Sequence, residues 1–348
     1  MNDPEMLQIC LGMGALGLAL ALVIGWLADP IGRALGLLDW PDTDGGRKRH
    51  VKVTPLVGGL ALTLASVTAA LVTRSGAAPQ VAHDLGWLAA AVGVMFLIGV
   101  SDDRFHLSPV VRLLAAMVML MLVISQASDF SLAFLYFGPA ELLLLGAAGA
   151  GFTLICLLGL LNAVNMADGK NGVVIGQGLI WSMVLAVHLP QPFWPVLAAA
   201  VGVLVGLMWA NMRGRLFLGD GGSYAISTLF GLLAVLSYNL GFEGWGADDV
   251  ALLFAVPVMD TVRLMVVRLA RRRSPFEGDR DHLHHHLHAR LGWPRGLFVY
   301  LALVALPNGA ALAWPGTGLV WLALTGVAYA MIIRMTTAEP EALADPAE

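Results

Sequence analysis

From Asn162 to Gly172 the chain reads NAVNMADGKNG, a polar knot with an apolar run on either side. Each flanking run approaches the roughly 20 residues a helix needs to cross a hydrocarbon core of about 30 Å. The knot therefore joins two membrane-length helices, and the fold class follows from that junction. A bare connector between such helices is short and built from Gly, Pro, Ser or Asp. Three carboxamides, Asn162, Asn165 and Asn171, exceed that need, so the knot reads as part of a site. The Asp168-Gly169 and Asn171-Gly172 pairs favour a tight backbone with positive φ, which can present N–H groups to an anion.

The rest of the composition agrees with an all-α, polytopic integral membrane protein. Of 348 residues 58% are hydrophobic and 13% charged, and the mean hydropathy is +0.78, which excludes the soluble class. Cys10 and Cys156 both lie in apolar runs, so there is neither a disulfide framework nor a cysteine zinc site. There is no polybasic tail of the kind nucleic acid demands.

Apolar runs of spanning size recur near 6–28, 55–73, 85–101, 110–125, 142–161, 173–188, 194–211, 222–240, 249–268, 297–313 and 317–334, giving about 11 transmembrane helices. Those at 110–125 and 173–188 are short enough to be tilted or partly re-entrant. Asp3 and Glu5 precede the first run where a cleaved signal peptide would carry Lys or Arg, so the run is expected to be retained. Of the 20 Lys and Arg, Arg74 alone sits in an even-numbered connection, and nearly all the others fall in the odd-numbered ones, at adjoining helix ends or near the C-terminal end. Basic residues collect on the cytoplasmic side, which predicts an N-terminus outside and a C-terminus in the cytoplasm. The expected organisation is one transmembrane domain over 1–336, with cytoplasmic loops at 45–55, 101–110, 162–172, 211–223 and 268–295. An acidic tail over 337–348 is expected to be disordered. The two halves show no inverted repeat of the kind many transporters carry.

Five polar clusters lie on the predicted cytoplasmic side. The first runs from Arg47 to Gly59, where Lys52 and the Thr54-Pro55 step into Gly58-Gly59 read either as a lipid-headgroup anchor or as backbone packed closely on a ligand. The second is the Asp102-Asp103 pair, which needs a cation such as Arg104, Arg112 or a metal. The opening knot is the third; Asp168 in it could be ligand, base or turn former. In the fourth, NMRGRLFLGDGGS from Asn211 to Ser223, Asp220 sits among Gly219, Gly221 and Gly222 at a helix start. That suits either Mg²⁺ carrying phosphate or a helix N-cap. The fifth, from Arg268 to Gly292, crowds His282, His284, His285, His286 and His288 beside Arg268, Arg271, Arg272, Arg273 and Arg280. No Cys accompanies these histidines, and arginines beside imidazoles suit phosphates better than a metal cation. Asp260 and Arg263 are the main charges inside a helix and are spaced to pair with each other.

Taken together and in order, TPLVGG at 54–59, the Asp102-Asp103 pair, NAVNMADG at 162–169, FLGDGGS at 217–223, and SPF followed by DRDHLHH resemble the polyprenyl-phosphate N-acetylhexosamine-1-phosphate transferases. The match spans about 45–295, and the family's bacterial branch has the eleven-helix, N-out, C-in topology. The resemblance implies transfer of a sugar 1-phosphate, GlcNAc-1-phosphate in the branch matched here, from a UDP-N-acetylhexosamine to undecaprenyl phosphate with release of UMP. This step initiates a lipid-linked envelope glycan such as O-antigen, common antigen, teichoic acid or exopolysaccharide. It implies Mg²⁺, with Mn²⁺ as a substitute, and a place in the bacterial inner membrane with the active site on the cytoplasmic face; a homodimer stays open. Asp220 matches the family's metal-binding aspartate and Asp102-Asp103 its acid pair, one of which would position the lipid phosphate or take its proton. Asp168 falls in the family's catalytic knot. His282, His284 and His285 match the His-x-His-His motif of the GlcNAc branch and, with Arg268 and Arg280, would offset charge on departing UMP. Lys52, Asn162, Asn165, Asn171 and Asn211 are candidates for the nucleotide or sugar.

Two positions depart from the bacterial pattern: Asn171 stands where a second Asp is usual, and His106 where a third acid often follows the pair. They keep an inactive homologue open as an alternative. The branch that transfers phospho-MurNAc-pentapeptide has a Glu where this chain has His288. A transporter with a His-rich metal loop, the alternative from another class, predicts charges midway along helices rather than at their ends.

Overall fold

The computed structural model describes residues 3–41, 52–137, 142–274 and 281–337. It is almost wholly helical. In chain order the helices are α1 (Asp3–Trp26), α2 (Ala28–Leu35), α3 (Gly58–Arg74), α4 (Pro79–Phe105), α5 (Pro109–Gln126), α6 (Gly149–Ala167) and α7 (Val173–His188). They continue with α8 (Trp194–Met212), α9 (Gly219–Gly241), α10 (Ala247–Leu253), α11 (Ala255–Ala270), α12 (Leu283–Leu291), α13 (Arg295–Ala313) and α14 (Gly318–Thr337). Two small antiparallel ladders complete it, one pairing Leu38–Asp39 with Thr54–Pro55 and the other Phe134–Tyr136 with Leu142–Leu144.

Each of the eleven apolar runs contains a helix, but they are not eleven equal spans. Among the described residues eight helices are long and apolar enough to cross a membrane, or nine if α10 and α11 form one broken span bent by 74°. Pro257 explains the bend, because it has no N–H to return to the Leu253 carbonyl at the end of α10. Helices α3 and α7 have 17 and 16 residues, which at about 1.5 Å per residue fall short of a 30 Å core. The run at 110–125, expected to be weak, forms the full 18-residue α5. The chain is a multi-pass membrane protein. The expected tail at 337–348, apart from the last residue of α14, lies outside the described residues.

Helix α9 is the hub. Every residue from Gly221 to Tyr238 is buried, so this helix is apolar all round, as a bundle's central member must be. Its N-terminus is approached unusually closely by α3 and α4. A Cβ on Gly99 of α4 would stand 2.3 Å from the Asp220 carbonyl oxygen, and one on Gly59 of α3 would stand 2.4 Å from Gly222 Cα. The TPLVGG segment is also hydrogen-bonded to this turn: Phe217 N–H donates to the Pro55 carbonyl, Gly58 N–H to that of Phe217 and Gly59 N–H to that of Leu218, at 2.9 to 3.2 Å. This turn is thus packed on the backbone leading into α9.

Gly99→Ala should therefore force α4 away from α9 and cost about 1–3 kcal/mol, read as a fall of several degrees in the unfolding temperature in detergent. Gly93→Ala on the same helix, where an added Cβ meets nothing within 4 Å, should not lower it. Equal unfolding temperatures for the two variants would contradict the close packing.

Candidate active site

The acid pair divides its work. Adjacent helical residues point about 100° apart, and Asp102 and Asp103 accordingly face different helices. Asp102 is buried and forms an ion pair with Arg112 of α5. Arg104, the other candidate counter-charge, turns away and donates to the Leu35 carbonyl at the end of α2. Asp103 meets the start of α9: Asp220 N–H donates to its Oδ1 at 3.0 Å and Gly221 N–H to its Oδ2 at 3.1 Å. These are among the first N–H groups of α9, which have no partner inside their own helix, and an anion there also meets the positive end of the helix dipole. His106 ends α4 with φ 52°, its N–H returning to the Asp102 carbonyl.

This arrangement has two consequences for the turn around Asp220. The glycines around Asp220 do not leave a loose backbone with N–H groups free for phosphate, because Asp103 takes two of those groups. Gly219 has φ +72°, and its missing side chain leaves room for Asp103 Oδ2, which would stand 2.7 Å from a Cβ. Nor does the Asp220 side chain supply the cap of α9, since a different carboxylate holds the N–H groups.

The Asp220 carboxylate is left for other work. Asn165 Nδ2 donates to its Oδ1 at 2.7 Å and to Ser223 Oγ at 2.9 Å, and Arg112 Nη1 lies 3.6 Å from its Oδ2. Asn165 thus fixes the acid rather than facing solvent alone. Asp168, just past the end of α6, lies near enough to feel Asp220 and Asp103. Burial first, and then those two charges, push its carboxyl well above the usual carboxylate range.

The other asparagines are placed differently. Asn162 donates to the Leu158 carbonyl one turn back along α6 at 2.8 Å. Asn211 is buried; its Oδ1 accepts Gly172 N–H at 2.7 Å and its Nδ2 donates to the Leu216 carbonyl at 3.2 Å, so it ties the knot to the loop before α9. Gly172, with φ +85°, is the one glycine of the knot in the left-handed region, and its N–H goes to Asn211 rather than to an anion. The Asn171 carbonyl accepts Trp293 Nε1–H at 3.1 Å. Lys52 is exposed before the Thr54–Pro55 strand.

The histidine cluster docks on the knot. A Cβ on Gly169 would stand 2.4 Å from His284 Nε2, so the glycine after Asp168 makes room for this ring. His284 is buried, both its nitrogens have no hydrogen-bond partner, and it stacks parallel to His282 at 5.4 Å and beside His285 at 4.3 Å. Burial, then His285, His282 and Lys170, hold its pKa well below the ordinary value. His286 is paired with Asp281 at 2.6 Å; that contact, with Arg263 behind it, draws Asp281 down to about 2. Part of the cluster is therefore structural. Arg268 is buried near the end of α11, and Arg280 lies outside the described residues.

Four carboxylates, Asp102, Asp103, Asp168 and Asp220, thus gather around the start of α9, with Arg112 within ion-pair distance of two of them. Among the described residues no three His, Cys, Asp or Glu form a complete metal cage. Mg²⁺ needs none, since it is held by one or two carboxylates together with phosphate oxygens and water. The acid-rich donor set around Asp220 is of the chemical kind that suits that ion. The buried ring of His284, packed against Gly169, keeps both nitrogens without a hydrogen-bond partner, an uncommon condition for buried polar atoms.

Comparison with known proteins now bears on this site. The chain is 33% identical over 294 residues to the undecaprenyl-phosphate alpha-N-acetylglucosaminyl 1-phosphate transferase of Salmonella typhi, covering 80% of this chain and 77% of the relative. The family model for glycosyl transferase family 4 matches residues 85–238. The chain belongs to that family. The matched region holds the acid pair, the knot and Asp220 but ends before the histidines. Within the family it is also similar to the enzyme of the same name from Yersinia pestis, 30% identical over 295 residues, 80% of this chain and 77% of the relative. A probable undecaprenyl-phosphate N-acetylglucosaminyl 1-phosphate transferase from Bacillus subtilis is 25% identical over 300 residues, 83% of this chain and 80% of the relative.

Asp220 can be separated from a structural role by Asp220→Asn. Because Asp103 caps α9, the exchange should leave thermal unfolding nearly unchanged, while a role of the Asp220 carboxylate as metal ligand predicts a loss of transferase turnover of at least about a hundredfold. Raised Mg²⁺ should restore it only in part. Near-normal turnover of the folded variant would remove Asp220 from the site.

Proposed function

We propose that this chain transfers GlcNAc-1-phosphate from UDP-GlcNAc to undecaprenyl phosphate, releasing UMP, as the first step of a lipid-linked envelope glycan. The observation that carries the reading is the gathering of Asp220, held by Asn165, with Asp168 and the partnerless His284 ring beside Gly169, in a chain similar to enzymes named for this transfer.

In the reaction a lipid phosphate oxygen attacks the β-phosphorus of the UDP-sugar, the new P–O bond forms, and the bond to UMP breaks. Such transfer depends on positioning and charge neutralisation more than on covalent help from the protein. When bound by Asp220 and Asp168, Mg²⁺ would neutralise charge on the diphosphate and on departing UMP. Asn165 holds Asp220 for that task. Arg112, kept in place by Asp102, offers its guanidinium to the phosphates at the acid cluster. His282, His284, His285 and Arg268 stand at the leaving-group side, where donors offset the growing charge. No strong general base is required, because a phosphate monoester with a second pKa of about 6 is already largely dianionic at neutral pH.

The same reading sets the whole chain in the cytoplasmic membrane as one transmembrane domain, with eleven passes, the N-terminus outside and the C-terminus inside. The short α3 and α7 and the bent α10–α11 pair supply the passes beyond the eight long helices. Asp102, Asp103, Asp168 and Asp220 sit at helix ends, on the side where basic residues collect and cytoplasmic UDP-sugar would be available.

One experiment tests activity, donor and orientation. Inverted vesicles carrying the protein and undecaprenyl phosphate should release UMP from external UDP-GlcNAc with a requirement for Mg²⁺, whereas right-side-out vesicles should not, since the nucleotide sugar does not cross the bilayer. UDP-MurNAc-pentapeptide should give no turnover. Turnover of the pentapeptide donor would overturn the branch, activity only in right-side-out vesicles the orientation, and no UMP from any UDP-N-acetylhexosamine the function itself.

A further inference from the structure

Asp260 lies within α11 and contacts none of the acids around α9 through any hydrogen bond described above, yet four donors converge on its buried carboxylate. Tyr329 of α14 donates its hydroxyl to Oδ1 at 2.7 Å, and His282 Nδ1 lies 2.8 Å from Oδ2. Leu283 N–H, the first of α12, reaches both oxygens at 3.1 and 3.2 Å, and Arg263 Nη2 stands 3.3 Å from Oδ1. Arg263 is itself held by Asp281 Oδ2 at 3.1 Å and donates its Nε–H to the Tyr329 hydroxyl at 2.7 Å. Neither Arg263 nor Tyr329 has a described hydrogen bond to the imidazole; both act on its carboxylate partner.

An ionised carboxylate only accepts, so the hydrogen on His282 must sit on Nδ1 and the ring's other polar atom, Nε2, is left free of that contact. His282 is also the residue just before α12, and the helix N–H that follows it is capped by the same acid. Ring and backbone are thereby fixed together, stacked directly on His284, whose ring lies against Gly169.

We propose that Asp260 is a positioning residue for the transfer: it fixes His282 with its hydrogen on Nδ1, sets the ring's direction, and supplies the counter-charge when a second proton on Nε2 lets that atom donate to a diphosphate oxygen. The proposal rests on the reading that the histidines face the UDP diphosphate. It differs from a purely structural role, in which Asp260 would only cap α12 and bind Arg263.

Two measurements on the full chain in detergent decide it. The first needs no substrate. With ¹⁵N-labelled histidine at about pH 8, above the ordinary His pKa of about 6.5, the His282 ring, identified by its loss in His282→Gln, should show the Nδ1–H tautomer. Asp260→Asn should shift it toward the Nε2–H form. An Nε2–H ring in the unmutated protein overturns the proposal whether or not any variant folds.

The second reads UMP release. Asp260→Asn should lower kcat by at least about tenfold with a smaller change in KM, and Asp260→Asn/His282→Gln should be no slower than His282→Gln alone, because the acid acts through the ring. Multiplying losses in the double variant, or near-normal kcat in Asp260→Asn, would contradict it. If the unmutated protein released no UMP from any UDP-sugar, the functional reading would fail, while the ring tautomer would still decide the positioning role.

Discussion

The contact on which the rest of the site depends is the one between the Asp103 carboxylate and the first N–H groups of α9. A buried helix start without partners is costly, because each unpaired buried N–H forfeits about 1–3 kcal/mol. Here a remote acid meets that need, and in doing so it fixes α4 against α9. The small residues follow from it. Gly99 and Gly59 allow the helices to approach, and Gly219, Gly221 and Gly222 leave space for Asp103, Val100 and Gly59 at the turn. With that backbone fixed, Asp220 projects from a defined place, and Asn165 and Arg112 can hold its two oxygens.

The histidine side repeats the device. The start of α12, like that of α9, is held by an acid from another helix, Asp260 of α11. Both chemical clusters of this protein thus sit where a loop becomes a helix, and neither relies on its own sequence for the cap. Such an arrangement couples the site to the packing of the bundle. A shift of α4 or α11 would move Asp220 or His282 directly, which is a physical reason for the dense core of α9 beneath them.

Much of this was legible in the chain. Apolar run lengths located all the long helices, and charge at the ends of those runs located the clusters that now meet at α9. What the sequence could not separate were neighbours of one residue type. Asp102 and Asp103 look equivalent in a string, but the turn of a helix sends one to Arg112 and the other to α9. Asn165 and Asn211 likewise share a chemistry, yet one steadies Asp220 and the other joins Gly172 to Leu216. The packing role of the GDGG glycines was not legible, because close approach by α3 and α4 leaves no mark near them in sequence. Tyr329 gave no signal, being 69 residues from the Asp260 it touches. The bend after α10 had a local cue in Pro257, although a continuous apolar run hid it.

The central claim is that Asp103 clamps the start of α9, and amide hydrogen exchange measures that clamp directly. In the unmutated protein the Asp220 and Gly221 amides should exchange slowly. In Asp103→Asn, where one amide oxygen replaces two carboxylate acceptors and the NH₂ faces the helix dipole, exchange across 219–222 should quicken at least about fivefold, corresponding to a loss of about 1 kcal/mol, while the rest of α9 stays protected. Unchanged exchange at 219–222 in the folded variant would contradict the account.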